Sequence, residues 1–412
     1  GTGTGGTGTY TVSASQTVAS TAMSSTEQKL VGAYAVYNNN MNFVAFSCTG
    51  AYTVDWGDGT TSDIATGVQA NHTYTTATYA AITGQNAYLG YKTVLITITP
   101  QSGGNITAVT LASNWTDGKT PDANSGNTRW LDIKAGMAAT TSFQAGYIWK
   151  GFRSLEQFEW VGPNVWTTCN YMFYTQHALK RLVSLYTNLS TGFSSMFTSC
   201  HALTSVPLFN TAKGTSFSGM FTSCHTLTSV PLFNTANVTN FSYMFNSCHA
   251  LTSVPLFNTA NATNFSAVFS FCTSLISVPL FNTAKVTNIS SLFQNCFSIT
   301  SVPVFDTANV TNFSYMFSGC RLASVPLFNT ANGTLFNTMF ATCNALTSVP
   351  LFNTANGTAF NRMFDTCNTL TSVPLFNTAN GTNFSSMFTN CNALASVPLF
   401  NTAKGTLFNT MF

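Results

Sequence analysis

The sequence predicts a solenoid of 24-residue turns, with a parallel β-sheet on one face and short helix or 3₁₀ segments on the other, preceded by a small β-sandwich. Three observations carry this expectation. Prolines recur at Pro207, Pro231, Pro255, Pro279, Pro303, Pro326, Pro350, Pro374 and Pro398, every step 24 residues except one of 23. Apolar residues hold fixed phases between them, as in Phe217, Met220, Phe221, Cys224, Leu227 and Val230. Upstream of the array the pattern changes to short alternating runs broken by turn residues, such as Ala51-Tyr-Thr-Val-Asp-Trp before Gly57-Asp58-Gly59.

Composition narrows the function classes. Charged residues make up 6% of the 412, against about 25% in an average soluble protein. A net charge of +3 without any Lys/Arg cluster offers nothing that would neutralise a phosphate backbone, so nucleic acid is not an expected partner. No run of 18 apolar residues occurs, and no membrane span is expected in this segment. The chain opens at Gly1 without a methionine or signal peptide and closes on Met411-Phe412, the pair that begins the short helix of each turn. Both features suggest a processed product or an excerpt. An uncapped end of this kind calls for further residues downstream or for other copies stacked against it.

Taken in order, residues 1–29 are rich in Gly, Thr and Ser and read as a linker or partner strand. Residues 30–100 carry the β-sandwich signals, including the strand Thr93-Val-Leu-Ile-Thr-Ile. Residues 101–172 form a connection and an amino-terminal cap, because Leu131, Leu155, Leu179 and Leu203 already keep the repeat step, as do Trp149, Phe173 and Phe197. Residues 173–412 are the regular turns. Within the turn Phe217–Asn240, the i, i+3, i+4, i+7 spacing of Phe217, Met220, Phe221 and Cys224 predicts a short helix or 3₁₀ segment. Leu227, Val230 and Leu232 have the L-x-x-L-x-L spacing of a leucine-rich-repeat strand. The turn closes through Asn234-Thr235-Ala236-Asn237, and Val238 returns an apolar side chain to the core. Twelve such strand positions, from Leu131 to Leu394, would span roughly 55 Å at the spacing of neighbouring strands.

On Phe241-Ser-Tyr-Met-Phe-Asn-Ser-Cys, Leu251-Thr-Ser-Val and Asn309-Val-Thr-Asn, the region 129–412 resembles the BspA-like leucine-rich repeats, the bacterial surface-protein repeat. That resemblance implies a leucine-rich-repeat solenoid, secretion or surface anchoring, adhesion and host contact, with related arrays in phage tails. The chain departs from the family in its slightly shorter turn and in Pro-Leu-Phe where an acidic strand residue is common. Val54-Asp-Trp-Gly-Asp-Gly-Thr60 and Asn71-His-Thr-Tyr74 resemble the PKD domain, an extracellular immunoglobulin-like module.

The candidate site residues fall in a few phases. Tyr243, Ala267, Ser291, Tyr315, Thr338, Arg362 and Ser386 share one variable phase between fixed core positions, which makes Tyr243, Tyr315 and Arg362 the first candidates for ligand contact. Strict alternation from Leu232 would turn Phe233, Phe257 and their equivalents outward as a binding or assembly stripe, whereas a bend at the proline would bury them; the cost of exposing so many aromatics favours burial. His177, His201, His225 and His249 share a phase and would form a surface column able to bridge a metal or respond to pH, or would be ordinary turn residues copied with the repeat. Asp55, Asp58 and Asp63 would hold calcium or, more simply, satisfy turn amides. Nine cysteines, from Cys200 to Cys391, share an inward phase; parallel side chains hold their Cβ atoms too far apart for disulfides, so they are expected as buried thiols filling space.

No Ser/His/Asp, paired-carboxylate, phosphate-loop or HExxH arrangement is present, so an enzyme is not expected and neither is a cofactor. The sequence favours a non-catalytic extracellular recognition protein, on a cell surface or a virion, facing a host or cell-surface glycan or protein. The alternative is a self-assembling subunit of an extracellular or virion fibre, sheath or decoration.

Overall fold

The computed structural model describes residue 18 and residues 21–38, 42–82, 91–111, 129–145 and 155–412. Trp149 and most of the segment 1–29 lie outside the described residues. Two compact units are present, one of residues up to 192 together with 196–213, the other of 193–195 together with 214–412. The structure is rich in sheet and repeat-like, and among the described residues it contains one α-helix.

In the first unit the chain forms β1 (Lys29–Tyr37), β2 (Asn42–Thr49), β3 (Tyr52–Asp55), β4 (Thr61–Ile64), β5 (Gln69–Tyr74), α1 (Thr76–Ala81), β6 (Tyr91–Pro100), β7 (Ala108–Thr110), β8 (Trp130–Gly136), β9 (Ser142–Gln144), β10 (Gln157–Trp160) and β11 (Arg181–Ser184). Seven strands make one sheet in the order β11-β10-β8-β1-β6-β3-β4, and four make another in the order β5-β2-β7-β9. The apolar run of β1 is buried along almost its whole length, as befits a central strand. Strand β8 is the point of change. It pairs antiparallel with β1, Gly32 opposite Ile133, and parallel with β10, Phe158 opposite Ile133. Strand β11 continues in parallel, Phe158 opposite Leu182. Each sheet therefore joins strands from within 30–100 to strands of the connection that follows, β1, β3, β4 and β6 with β8, β10 and β11 in one and β2 and β5 with β7 and β9 in the other, and the 24-residue step starts on the edge of the larger sheet. Tyr34, Phe46, Tyr52, Trp56 and Trp130 fill one part of the core, while Phe143, Phe158, Trp160 and Trp166 pack their rings together in another.

The second unit is built from turns whose inward phases are those expected: Phe217, Met220, Phe221, Cys224 and Leu227 are fully buried and Val238 with them. Its backbone differs from the expectation in two ways. The Phe-x-x-Met-Phe segment is not a helix but a succession of tight turns. In the turn starting at Phe241, the N–H groups of Met244, Asn246 and Cys248 donate three residues back, to Phe241, Tyr243 and Phe245. The intervening N–H groups, of Phe241, Tyr243, Phe245 and Ser247, donate to Asn264, Ser266, Val268 and Ser270 of the next turn at 2.8–3.1 Å. Two positive φ angles, 58° at Tyr243 and 60° at Ser247, flip alternate peptides and prevent helix formation. The rungs joining successive turns thus lie on this segment and on the bridges Asn240↔Asn264 and Asn264↔Asn288, where the i, i+3, i+4, i+7 spacing predicts a helical face. No regular strand forms at the Leu227 phase of this unit.

The second difference is at Leu232, beside the proline, where the bend favoured for burying the phenylalanines turns the leucine outward. Pro231 has no N–H to give to a sheet, and the Phe233 N–H donates to the Pro231 carbonyl at 2.9 Å, closing a three-residue turn that recurs at Phe257, Phe305 and Phe376. This bend exchanges two faces. Phe233 is 2% exposed and Leu232 is 59% exposed, so of the L-x-x-L-x-L spacing the inward direction holds for Leu227 and Val230 and fails at the third position, without the strand. The cysteines carry more than volume: the Cys248 thiol donates to the Phe221 carbonyl at 3.1 Å, and Cys272, Cys296, Cys320, Cys343 and Cys367 repeat the bond. A buried carbonyl already bonded to one N–H thereby gains a second donor. The turn is closed by Thr235, buried, whose hydroxyl donates to Asn258 O at 2.8 Å, and by Thr239, whose N–H and hydroxyl both donate to Thr215 O.

Candidate recognition surface

The variable phase sits on the run of tight turns. At Tyr243, Ala267, Ser291, Tyr315, Thr338, Arg362 and Ser386 the backbone φ stays between 53° and 59°, a region that ordinary residues visit rarely. Buried Phe and Met residues on either side and the rungs to the next turn hold it there. The side chains differ in what they present. Tyr243 and Tyr315 are exposed, and Arg362 reaches outward with its Nε 3.8 Å from Asp365. Ala267 and Thr338 are buried and present nothing. Phe233 and Phe257, offered by the sequence as ligand contacts, are buried at 2% and 4% exposure, because the turn after each proline swings the ring into the core.

Two aromatic side chains that the sequence reading did not single out lie on the same stretch of turns. Phe271 and Phe297 are both about two-fifths exposed, at 41% and 42%, and the Arg321 guanidinium lies 5.7 Å from the Phe297 ring centre. Their signal was available: Phe271 stands where Ser247 and Asn295 stand in neighbouring turns, and Phe297 where His249 and Asn344 stand.

A further surface runs beside the prolines. Leu232, Leu256, Leu280, Val304, Leu327, Leu351 and Leu375 are each 59–62% exposed. The Phe221 and Phe233 rings of one turn meet within the core at 6.3 Å, so the tight-turn segment and the leucine segment line opposite sides of it.

The histidine phase forms stacked rings within each unit: His177 on His201 with centres 4.3 Å apart in the first, His225 on His249 at 4.7 Å in the second, both nearly parallel. Face-to-face imidazoles direct their nitrogens edgewise, away from a common point. Burial, then the neighbouring His177, lowers the pKa of His201 below the ordinary histidine value. Among the described residues no group of three or more His, Cys, Asp or Glu side chains gathers as a metal site.

The aspartates of the β3–β4 turn are occupied. Asp55 accepts the Gly57 N–H at 2.9 Å, and Asp63 accepts the Thr53 hydroxyl. Asp58 accepts both the N–H and the hydroxyl of Thr60 on one oxygen and meets His72 Nε2 at 2.8 Å on the other. Burial by itself would raise Asp58, but the hydrogen bonds from His72 and Thr60 outweigh it and hold the carboxyl below its usual range. His72 in turn stacks on Trp56 at 4.6 Å and meets Tyr74 edge-on, and the Tyr74 hydroxyl donates to Trp56 O. These residues tie the hairpin β3–β4 to β5.

The tight turns, the buried phases and the step of 24 residues recur along the second unit. No curated protein matches the chain. Among solved structures, a leucine-rich repeat protein from Eubacterium ventriosum is 19% identical over 65% of this chain and 70% of that one, with a TM-score of 0.33, too low to carry a fold assignment. Residues 154–256, 215–326, 263–371 and 323–412 each match one protein family. Because these overlapping matches together cover 154–412, more than half of the sequence, the chain belongs to the family described as Mycoplasma protein of unknown function, DUF285.

Proposed function

We propose that the chain is a non-catalytic extracellular recognition protein, carried on a cell surface or in a phage tail fibre, whose tight-turn face meets a glycan or protein on a host or neighbouring cell. The observation that carries this reading is the phase of Tyr243, Tyr315 and Arg362, where one backbone conformation recurs turn after turn while the side chain changes. Binding surfaces are commonly variable side chains on a backbone that a rigid scaffold positions. The regular inward phases and the even spacing support a BspA-like leucine-rich-repeat solenoid. The Trp56, Asp58, His72 and Tyr74 cluster supports a PKD-like, immunoglobulin-type sandwich ahead of it, with the aspartates serving the turn.

Binding of the whole chain to a glycan array and to cultured cells tests the proposal. Replacing Tyr243→Ala, Tyr315→Ala and Arg362→Ala together should weaken binding at least about tenfold, as loss of exposed aromatic and arginine anchors does. Unchanged binding by the triple variant removes this phase from the site, and no binding to any surface sinks the recognition role.

A further inference from the structure

We infer that the leucine column from Leu232 to Leu375 is an interface between two copies of this chain. The positions around it show that folding does not require an apolar residue there. Outward neighbours in the same segment are Ser229 and Asn234 and their equivalents, and the inward work is done by Val230 and Phe233. Yet every turn from Leu232 to Leu375 places leucine, or valine once, at the exposed phase, with an exposure constant to within 59–62%. Each such side chain offers on the order of 100 Å² and the column on the order of 700 Å², above the largest apolar patch of an ordinary monomer. It is close to the roughly 800 Å² that each partner buries in a stable pair.

Three properties select a second copy over another occupant. The knobs repeat once per turn, and a partner surface that matches them along their length must carry apolar side chains at the same pitch, which a second array of the same turns does by construction. The flanking columns are uncharged apart from Asp306, whose carboxylate accepts the Ala308 N–H in a local turn; two copies therefore approach without facing rows of like charge. Stacked identical side chains from facing segments interdigitate into a dry seam, the packing that repeated strands adopt when they meet face to face. The surface lies on one side of the core only, so a two-fold pair covers both columns and closes. The opposite side, with Tyr243, Tyr315 and Arg362, stays open on both copies, and the inference stands whether or not that side binds a ligand.

Light scattering and sedimentation of the whole chain across a concentration series test it. The expected result is a particle of about twice 44.1 kDa at micromolar concentration that persists in high salt, because apolar contact is not screened. Combined Leu256→Ser, Leu280→Ser, Leu327→Ser and Leu351→Ser, all on exposed positions, should leave circular dichroism and the melting of dilute, unpaired protein unchanged and weaken pairing at least about 100-fold. Tyr243→Ala with Tyr315→Ala should leave the mass unchanged. A wild-type monomer up to about 100 μM, pairing that survives the fourfold variant, dissociation by salt, or open-ended growth would each overturn the inference. So would a monomer that floats with neutral phosphatidylcholine vesicles through these leucines, which would make the column a lipid-facing surface.

Discussion

Thr338 is held where its chemistry is least suited. It is β-branched, has a φ of 58°, is 7% exposed, and its hydroxyl has no hydrogen-bond partner. The same phase accepts Ala267 with an almost identical backbone and burial. Thr338→Ala should therefore stabilise the array by about 1 kcal/mol, since it removes a buried unsatisfied hydroxyl and the crowding of a branched side chain at positive φ. A shift of the urea midpoint upward at constant slope would show it, and a downward shift would mean that the lost methyl matters more. In the first unit the sensitive residue is His72. Losing its contact with Asp58 and its stack on Trp56 should cost about 2 kcal/mol in His72→Ala. Asp58 also sets a pH dependence. Its folded pKa lies below the unfolded value of about 3.9, so the unfolded chain binds the proton first as pH falls. The stabilisation is complete above that value and is lost as pH drops through the lowered folded pKa. Melting followed by Trp fluorescence between pH 6 and pH 2 should show the loss, and Asp58→Asn should flatten it.

At the scale of one turn, a single position decides how the phenylalanines stack. Val238, Ala262, Val286 and Val310 fill a fully buried place that Gly333, Gly357, Gly381 and Gly405 leave to the ring. Around the former, Phe217, Phe241 and Phe265 meet edge to face; over the glycines, Phe313, Phe336, Phe360 and Phe384 lie flat on one another within 7°. A Cβ at Gly357 would come within 2.5 Å of Phe360 Cζ. Gly357→Val should thus cost about 1–3 kcal/mol by overpacking, and adding Phe360→Ile, which reproduces the natural Val286 and Ile289 pair, should recover most of it; a double variant no better than the single would show that the two positions do not share the space. Such inward phases were legible in the sequence because a residue that must reach the core returns at every turn. The path of the backbone was not. Spacing at i, i+3, i+4, i+7 fits a helix and a run of tight turns equally, and nothing in a column occupied by Ser, Tyr, Ala, Thr and Arg announces a positive φ. The burial favoured for Phe233 is met, but the outward direction of Leu232 was not legible, since it follows from one hydrogen bond across Pro231. Of the candidate site, exposed Tyr243 and Tyr315 were readable, but Phe271 and Phe297 show only as departures from the repeat.

Over the whole molecule, the cysteines report how the repeats hold together. No disulfide joins the described cysteines, and burial pushes the thiols up, Cys48, Cys169, Cys272 and Cys320 to about 12, which leaves almost no thiolate at neutral pH. The thiols from Cys248 to Cys391 also donate to the carbonyl of the preceding turn, so such a cysteine becomes reactive only when its own turn separates from that neighbour. Stability in a stack of like turns is a sum of unit and nearest-neighbour terms. Because the turns from Phe217 to Phe384 keep the same inward phases and rungs with similar apolar residues, their interface terms are similar, and opening one turn in the middle breaks two interfaces. Native protein should consequently show slow labelling by a thiol reagent at Cys391 alone among the repeat cysteines, since that one is only partly buried, and melting should be the same with and without reductant. As urea is raised, Cys248 to Cys343 should become reactive together, in one transition, when read by mass spectrometry of the labelled peptides. Labelling that spreads turn by turn at distinct urea concentrations would mean that the interfaces are weak relative to the turns themselves, and the rungs between the tight turns would then not be what makes the array cooperative.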